Sequence, residues 1–233
     1  LLYVNLTETV GKNTWYRGRI NNEGQNIWIH ESYLKESKNI IKIFIDPGHG
    51  GSDPGAVDKG TNTREKDLTL DIAKRIVKYL NQYSGIEIKM SRTDDRNLSL
   101  DARTKMANDW GADYYVSVHI NAGGGTGFES YIYEQKDKNG RIIGSPTQDE
   151  IKKQAIIHDH IAKNIKSDGV RDRGKKRANF HVLRESNMSA ILFEYLFIDN
   201  TNDRNKLLNG SFRDKLAKLT AEGIAKAFGL KKK

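Results

Sequence analysis

Ile41-Lys42-Ile43-Phe44-Ile45-Asp46-Pro47-Gly48-His49-Gly50-Gly51 is an apolar run that stops on an acid, a proline and a histidine framed by glycines. β-Branched and aromatic residues without regular polar alternation predict a strand over 41–46, buried on both faces. Pro47 fixes the turn entry after Asp46, which reads as a strand-end turn former. Gly48, Gly50 and Gly51 let the backbone turn sharply and leave the His49 imidazole uncovered. Outward from this stretch, further strands are expected over 86–90, 114–119, 128–133 and 190–195. Helices are expected over 64–82, 98–109, 149–167 and 211–228. The first carries Leu68, Ile72, Ile76 and Leu80 on one stripe, joined by Ala73 and Val77. The last opens with Ser211 and Asp214 in capping-box spacing and stops at Gly229. Alternating strands and helices predict an α/β fold, a largely parallel twisted sheet with helices on both faces.

Residues 1–37 follow another pattern. Trp15-Tyr16-Arg17-Gly18-Arg19-Ile20 and Ile27-Trp28-Ile29-His30 alternate apolar with polar around Asn21-Asn22-Glu23-Gly24, which predicts a β-hairpin followed by Glu31-Ser32-Tyr33-Leu34. Glu36-Ser37-Lys38-Asn39 reads as a polar linker. The expected partition is therefore a small all-β piece, 1–37, and a main domain, 38–233. The chain opens Leu1-Leu2-Tyr3, without an initiator Met or a basic leader, so it is expected to be a piece of a longer protein.

The 233 residues include no cysteine, which excludes disulfide frameworks, Cys-ligated zinc, iron–sulfur clusters and thiol nucleophiles. Any metal must be held by His, Asp or Glu. No apolar run is long enough to span a membrane. The net charge of +9 favours anionic surroundings without choosing among them. Nucleic-acid binding would rest on that charge alone, because no recognition motif accompanies it. Most lysines fall on expected helix faces, and Lys231-Lys232-Lys233 reads as a frayed end.

In open α/β sheets, functional groups collect at the carboxyl ends of the strands. His49 follows the first strand, His119 follows Tyr114–Val118, and Glu194 interrupts an apolar run from Ala190 to Ile198. Glu65 begins the first helix, within reach of the first strand's loop. Taken singly, His49 reads as a surface residue, His119 equally as a hydrogen-bonded sheet-end histidine or a functional one, and Glu194 as a desolvated carboxylate, with a buried salt bridge as its alternative. Taken together, two histidines and one carboxylate form a three-ligand set of the kind used by catalytic zinc, which activates water. A desolvated Glu194 suits the general base. Spacing alone does not prove that they converge.

Competing signals are weaker. Gly123-Gly124-Gly125-Thr126-Gly127 lacks the features of a phosphate loop and reads as a flexible rim. His158-Asp159-His160 resembles a metal tract, but residues two apart on a helix face apart, which favours a surface position. His30 and His181 fall within expected strands. Ser186 and Ser189 lack a nucleophile elbow.

The ordered blocks from Asp46 to Ala56, Arg64 to Leu70, Ser91 to Asp94, Leu100 to Arg103, Ser117 to Ala122, Arg173 to Lys175, Phe180 to Arg184 and Ala190 to Asn200 bring in a family. The chain resembles the zinc-dependent N-acetylmuramoyl-L-alanine amidases found in autolysins, sporulation enzymes and phage lysins. The resemblance spans residues 40–229. It implies Zn2+ held by His49, Glu65 and His119, with Glu194 catalytic. It also implies a secreted, wall-acting hydrolase that cuts between the lactyl group of N-acetylmuramic acid and L-alanine of the stem peptide. The alternatives are a zinc metallopeptidase cutting within that peptide, which would share these residues, and a non-catalytic wall-binding protein. The segment Glu134–Ile151 is longer and more polar than expected for the family, and an open cleft is the expectation. Residues 15–34 resemble the end of a bacterial SH3-like wall-binding repeat, which implies peptidoglycan or teichoic acid as a partner. A monomer is the default, for want of an apolar seam.

Overall fold

The structure, a computed structural model, describes residues 2–20, 23–33 and 40–233. The chain divides between residues 39 and 40 into two units. The first is an antiparallel sheet of β1 (Leu2–Val10), β2 (Asn13–Ile20) and β3 (Glu23–His30), in that order. The expected hairpin is present, with Trp15 opposite His30 and Arg17 opposite Trp28. Strand β1 was not anticipated; it turns into β2 at Gly11, where φ is 65°. Trp15 and Trp28 remain 37% and 43% exposed, so this sheet has not closed a core around them. The turn residues Asn21 and Asn22 and the linker Glu36–Asn39 lie outside the described residues.

The second unit opens with β4 (Ile41–Pro47), a two-residue ribbon of β5 (Val57–Asp58) and β6 (Thr63–Arg64), and α1 (Glu65–Leu80). It continues through β7 (Ile86–Met90), α2 (Leu100–Trp110), β8 (Tyr114–Asn121), β9 (Phe128–Tyr133) and a second ribbon, β10 (Gln135–Lys136) with β11 (Ile142–Gly144). Then come α3 (Gln148–Ile165), β12 (Asp172–Ala178), α4 (His181–Arg184), β13 (Ser189–Phe197), α5 (Thr201–Leu208) and α6 (Gly210–Phe228). Six strands form one sheet in the order β12-β9-β13-β8-β4-β7. Strands β7, β4, β8 and β13 run parallel; β9 is antiparallel to β13 and parallel to β12.

Alternate residues of each central strand enter different layers, which explains the lack of polar alternation. Ile43, Ile45, Val116, Ile191 and Phe193 pack with the apolar stripe of α1 and with α3 and α6. Phe44, Tyr115 and Leu192 pack with Ala107 of α2 and with Val182 and Leu183 of α4. Burying each such side chain contributes about 1.5–3 kcal/mol before chain entropy is counted. The second layer covers only part of its face, and the polar side chains of the strands' carboxyl ends occupy the remainder.

Some expectations need correction. Strand β12, Asp-Arg-Gly-Lys-Lys-Arg-Ala, was invisible as a strand because it is an edge, where charged side chains keep their heads in water. Asp46 is no turn former but a fully buried strand residue. Helix α6 is capped by Asn209, whose side chain accepts from the amides of Ser211 and Phe212, not by a Ser211 box. The C-terminal lysines are not frayed, since the Ser84 amide donates to the Lys231 carbonyl and the Lys233 amide donates to that of Gln82.

Candidate active site

The loop after β4 is strained and then held. His49 has φ 60°, a left-handed conformation costly for a residue with a side chain. Two buried arginines grip the carbonyls around it. Arg103 donates from Nη1 to Pro47 O and from Nη2 to His49 O, both at 2.8 Å. Arg92 donates from Nη2 to Gly48 O at 2.8 Å and from Nε to Pro47 O at 3.1 Å. Arg103 also pairs with Asp46 at 2.8 Å. Burial would raise the Asp46 carboxyl, but Arg103 and the Ser91 hydroxyl hold it below its ordinary range. Glycine is required where space runs out: a Cβ on Gly48 would lie 2.3 Å from the His119 ring.

The loop brings His49 to Glu65, the first residue of α1, and His119 reaches the same carboxylate from β8. His49 Nε2 lies 3.2 Å from Glu65 Oε2, and His119 Nδ1 lies 3.0 Å from Glu65 Oε1. Each Glu65 oxygen also accepts a backbone amide, Oε1 from Ile120 at 3.0 Å and Oε2 from Ala56 at 2.9 Å. The far nitrogen of His49, Nδ1, is 2.8 Å from Asp53 Oδ2, which orients the ring. One potential ligand atom from each of His49, Glu65 and His119 lies within 4.8 Å of the others. Two imidazoles and a carboxylate match the chemistry of a divalent transition metal, so the donor set fits such an ion.

The protonation pattern follows from proximity. Burial opposes charge on His49, yet hydrogen bonding and attraction from Glu65, with Asp53 behind it, raise its pKa to about 9. His119 is raised against burial by Glu65 as well. Glu65 is opposed by burial but held far below the usual carboxylate range by His119 and His49.

Glu194 behaves differently. It lies directly across from His119 on β13 and, among the described residues, forms no salt bridge. Its Oε2 is buried with no hydrogen-bond partner among the described residues. Burial, then the charges of Glu65 and Glu129, push its pKa up to about 7, although His119 and His49 pull the other way. The four sequence-selected residues therefore meet at the carboxyl end of the parallel strands.

The adjoining cavity, about 520 Å³, is lined by His49, His119 and Glu194 and by an apolar wall that includes Leu98, Leu100, Phe180 and Leu192. No residue of 134–151 is among its lining. Sequence reasoning missed four contributors: Asp53, Arg92, Arg103 and His181. His181 is not in a strand; it opens α4, lines the cavity and lies 2.9 Å from Asp101. The only early signal for these residues was their place in the quoted blocks. Two other expectations fail. The Gly123–Gly127 loop is pinned, its amides donating to Asp199 and Asp203. His158 is fully buried, bonded to Ser130 at 2.8 Å and Asp172 at 2.9 Å, while His160 turns to Glu222.

Against this geometry, a family model described as N-acetylmuramoyl-L-alanine amidase matches residues 43–226, and the chain belongs to that family of peptidoglycan-cleaving enzymes. It is 50% identical over 194 residues to the sporulation-specific N-acetylmuramoyl-L-alanine amidase of Bacillus subtilis, covering 83% of this chain and 70% of the relative. It is 41% identical over 192 residues to the endolysin of Bacillus phage SPP1, covering 82% and 67%. Among solved structures, the N-acetylmuramoyl-L-alanine amidase of Clostridium difficile 630 superposes with a TM-score of 0.73 at 37% identity, covering 82% of this chain and 98% of that one. The mostly parallel α/β fold and the amidase activity expected from sequence both stand, and amidase takes precedence over peptidase. No helix among the described residues is long and apolar enough to cross a membrane.

Proposed function

We propose that His49, Glu65 and His119 hold Zn2+ and that Glu194 moves the proton in cleavage of the bond between the lactyl group of N-acetylmuramic acid and L-alanine. Bound zinc supplies a Lewis acid that acidifies water and polarises the scissile carbonyl. The observation that carries the assignment of Glu194 is its buried, unpartnered Oε2 beside the ligand trio. A carboxylate poised near pH 7 accepts a proton from the attacking water at that oxygen. It then returns the proton to the departing amine of L-alanine. Asp53, Arg92 and Arg103 fix His49 and its strained backbone, so the ring needs little reorganisation on metal binding.

The N-terminal sheet is proposed to be a partial SH3-like module of residues 1–37, ahead of a catalytic domain of 38–233. Its half-exposed Trp15 and Trp28 support contact with peptidoglycan or teichoic acid. A secreted monomer acting at the cell wall suits this substrate. The test is digestion of purified peptidoglycan with and without a chelator, identifying the new amino termini. Chelator-sensitive release of N-terminal L-alanine is the expected result. Other termini, or unchanged release after metal removal, would refute the assignment.

A further inference from the structure

Beyond Glu194 the sheet continues through β9 and β12, and its open face carries a second charged group. Glu129, only 1% exposed, lies directly opposite Glu194 in the β9–β13 register. Residues paired this way share one face of the sheet at close range. Glu129 accepts from Asn121 Nδ2 at 2.7 Å, from the Tyr131 hydroxyl at 2.8 Å and from Arg173 Nε at 2.7 Å, and it pairs with Lys176. The Arg173 guanidinium sits over the Phe197 ring at 4.8 Å, and Lys176 Nζ over that of Tyr131 at 5.7 Å. Two cations thus meet one carboxylate, leaving a positive charge around Glu129, one strand beyond Glu194. Among the described residues, neither Nη of Arg173 has a hydrogen-bond partner, and the side chain is 27% exposed.

Edge-strand cations often serve only to discourage strand pairing. The other basic residues of β12 suit that role, since Lys175 pairs with Asp159 and Arg177 donates to Gln154. Arg173 and Lys176 differ because both heads turn to the same side of the sheet as Glu194, and each is fixed by a carboxylate and a ring. A planar guanidinium anchored through Nε presents its two Nη groups as a fork suited to a carboxylate.

Strand order gives the direction. The metal-type donors lie after β4, at the start of α1 and on β8; Glu194 is on β13, with β9 and β12 beyond it. A group that protonates the leaving nitrogen stands on the leaving side. The peptide therefore departs towards β9 and β12, and the glycan lies on the opposite flank.

We propose that Arg173 and Lys176 form a carboxylate-binding subsite for the stem peptide, which selects substrates whose residue after L-alanine carries a free α-carboxylate. This rests on the assignment of Glu194 as the proton carrier. The test compares kcat/KM on two muramoyl tripeptides that differ only in whether that carboxyl is free or amidated. The wild-type enzyme is expected to prefer the free form about tenfold or more, the scale of a hydrogen bond to a charged group. In the Arg173→Gln/Lys176→Gln enzyme the ratio should collapse towards one, with most of the change in KM. Arg173→Lys, which keeps the charge that faces Glu129 but loses the fork, should reduce the ratio partially and provides a folded comparison. A wild-type ratio near one overturns the proposal without any variant. So does a ratio retained in the double variant, or an equal loss on both substrates, which would mark the cluster as structural. Failure of the underlying reading would look different: Glu194→Gln would retain turnover on both tripeptides.

Discussion

Two basic clusters stand on opposite sides of β13 in the sheet, and they are built in opposite ways. On the β4 side, Arg92 and Arg103 are buried, and their donors are spent on the carbonyls of Pro47, Gly48 and His49. On the β12 side, Arg173 and Lys176 are partly exposed and share one carboxylate, leaving donors over. The first cluster shapes backbone; the second offers charge. Saturation of donors, more than residue type, separates an arginine that builds a site from one that can meet a ligand.

The comparison can be broken at its centre first. Glu194→Ala should lower turnover by about 10²–10⁴-fold, the usual contribution of a positioned general base, while metal content measured by elemental analysis is unchanged. Near-wild-type turnover would remove Glu194 from the proton path. Next in size is Arg103→Ala, which strips the partner from buried Asp46 and frees the His49 carbonyl. A loss of about 3–5 kcal/mol in urea-unfolding free energy is expected, the cost of orphaning one side of a buried ion pair. A loss below about 1 kcal/mol, the range of an exposed pair, would put the β4 cluster in the same class as the β12 cluster. Smaller again, Asp53→Asn should weaken metal affinity about 10–100-fold in a chelator competition, because His49 loses the carboxylate that orients it. Unchanged affinity would show that the arginine-held backbone suffices.

The smallest effect lies away from the cleft, at His158. Burial lowers its pKa below 6.5 despite Asp172, so the unfolded chain binds more protons as pH drops through that value. Stability should therefore fall on acidification from pH 6.5, and His158→Gln should flatten that slope in thermal unfolding.

The legible parts of the molecule were those in which sequence-local chemistry and tertiary role coincide. Ile41–Ile45 could only be a doubly buried strand, and the stripe from Leu68 to Leu80 could only be a core-facing helix. His49, His119 and Glu194 were legible because each breaks an apolar or glycine-rich context at a strand end. Arg103 was not, because the partners that tie it to the site, Asp46 and the carbonyls of Pro47 and His49, lie more than fifty residues away, where no local pattern points to them. Strand β12 was missed for a related reason, its pairing with β9 being carried by the main chain while its side chains read as a solvated loop. His158 was misplaced because facing away from His160 does not mean facing solvent: its side of the helix packs against Ser130.

The position of β13 has a consequence for how the molecule comes into being. It is the last strand in the chain, yet it lies between β8 and β9. Until it is in place, β7-β4-β8 and β9-β12 are two ribbons with a gap between them. The segment that closes this gap also delivers Glu194. A nascent or truncated chain ending before residue 189 lacks both the completed sheet and the carboxylate proposed to carry the proton, so on that proposal wall-cutting chemistry waits for the architecture to be whole.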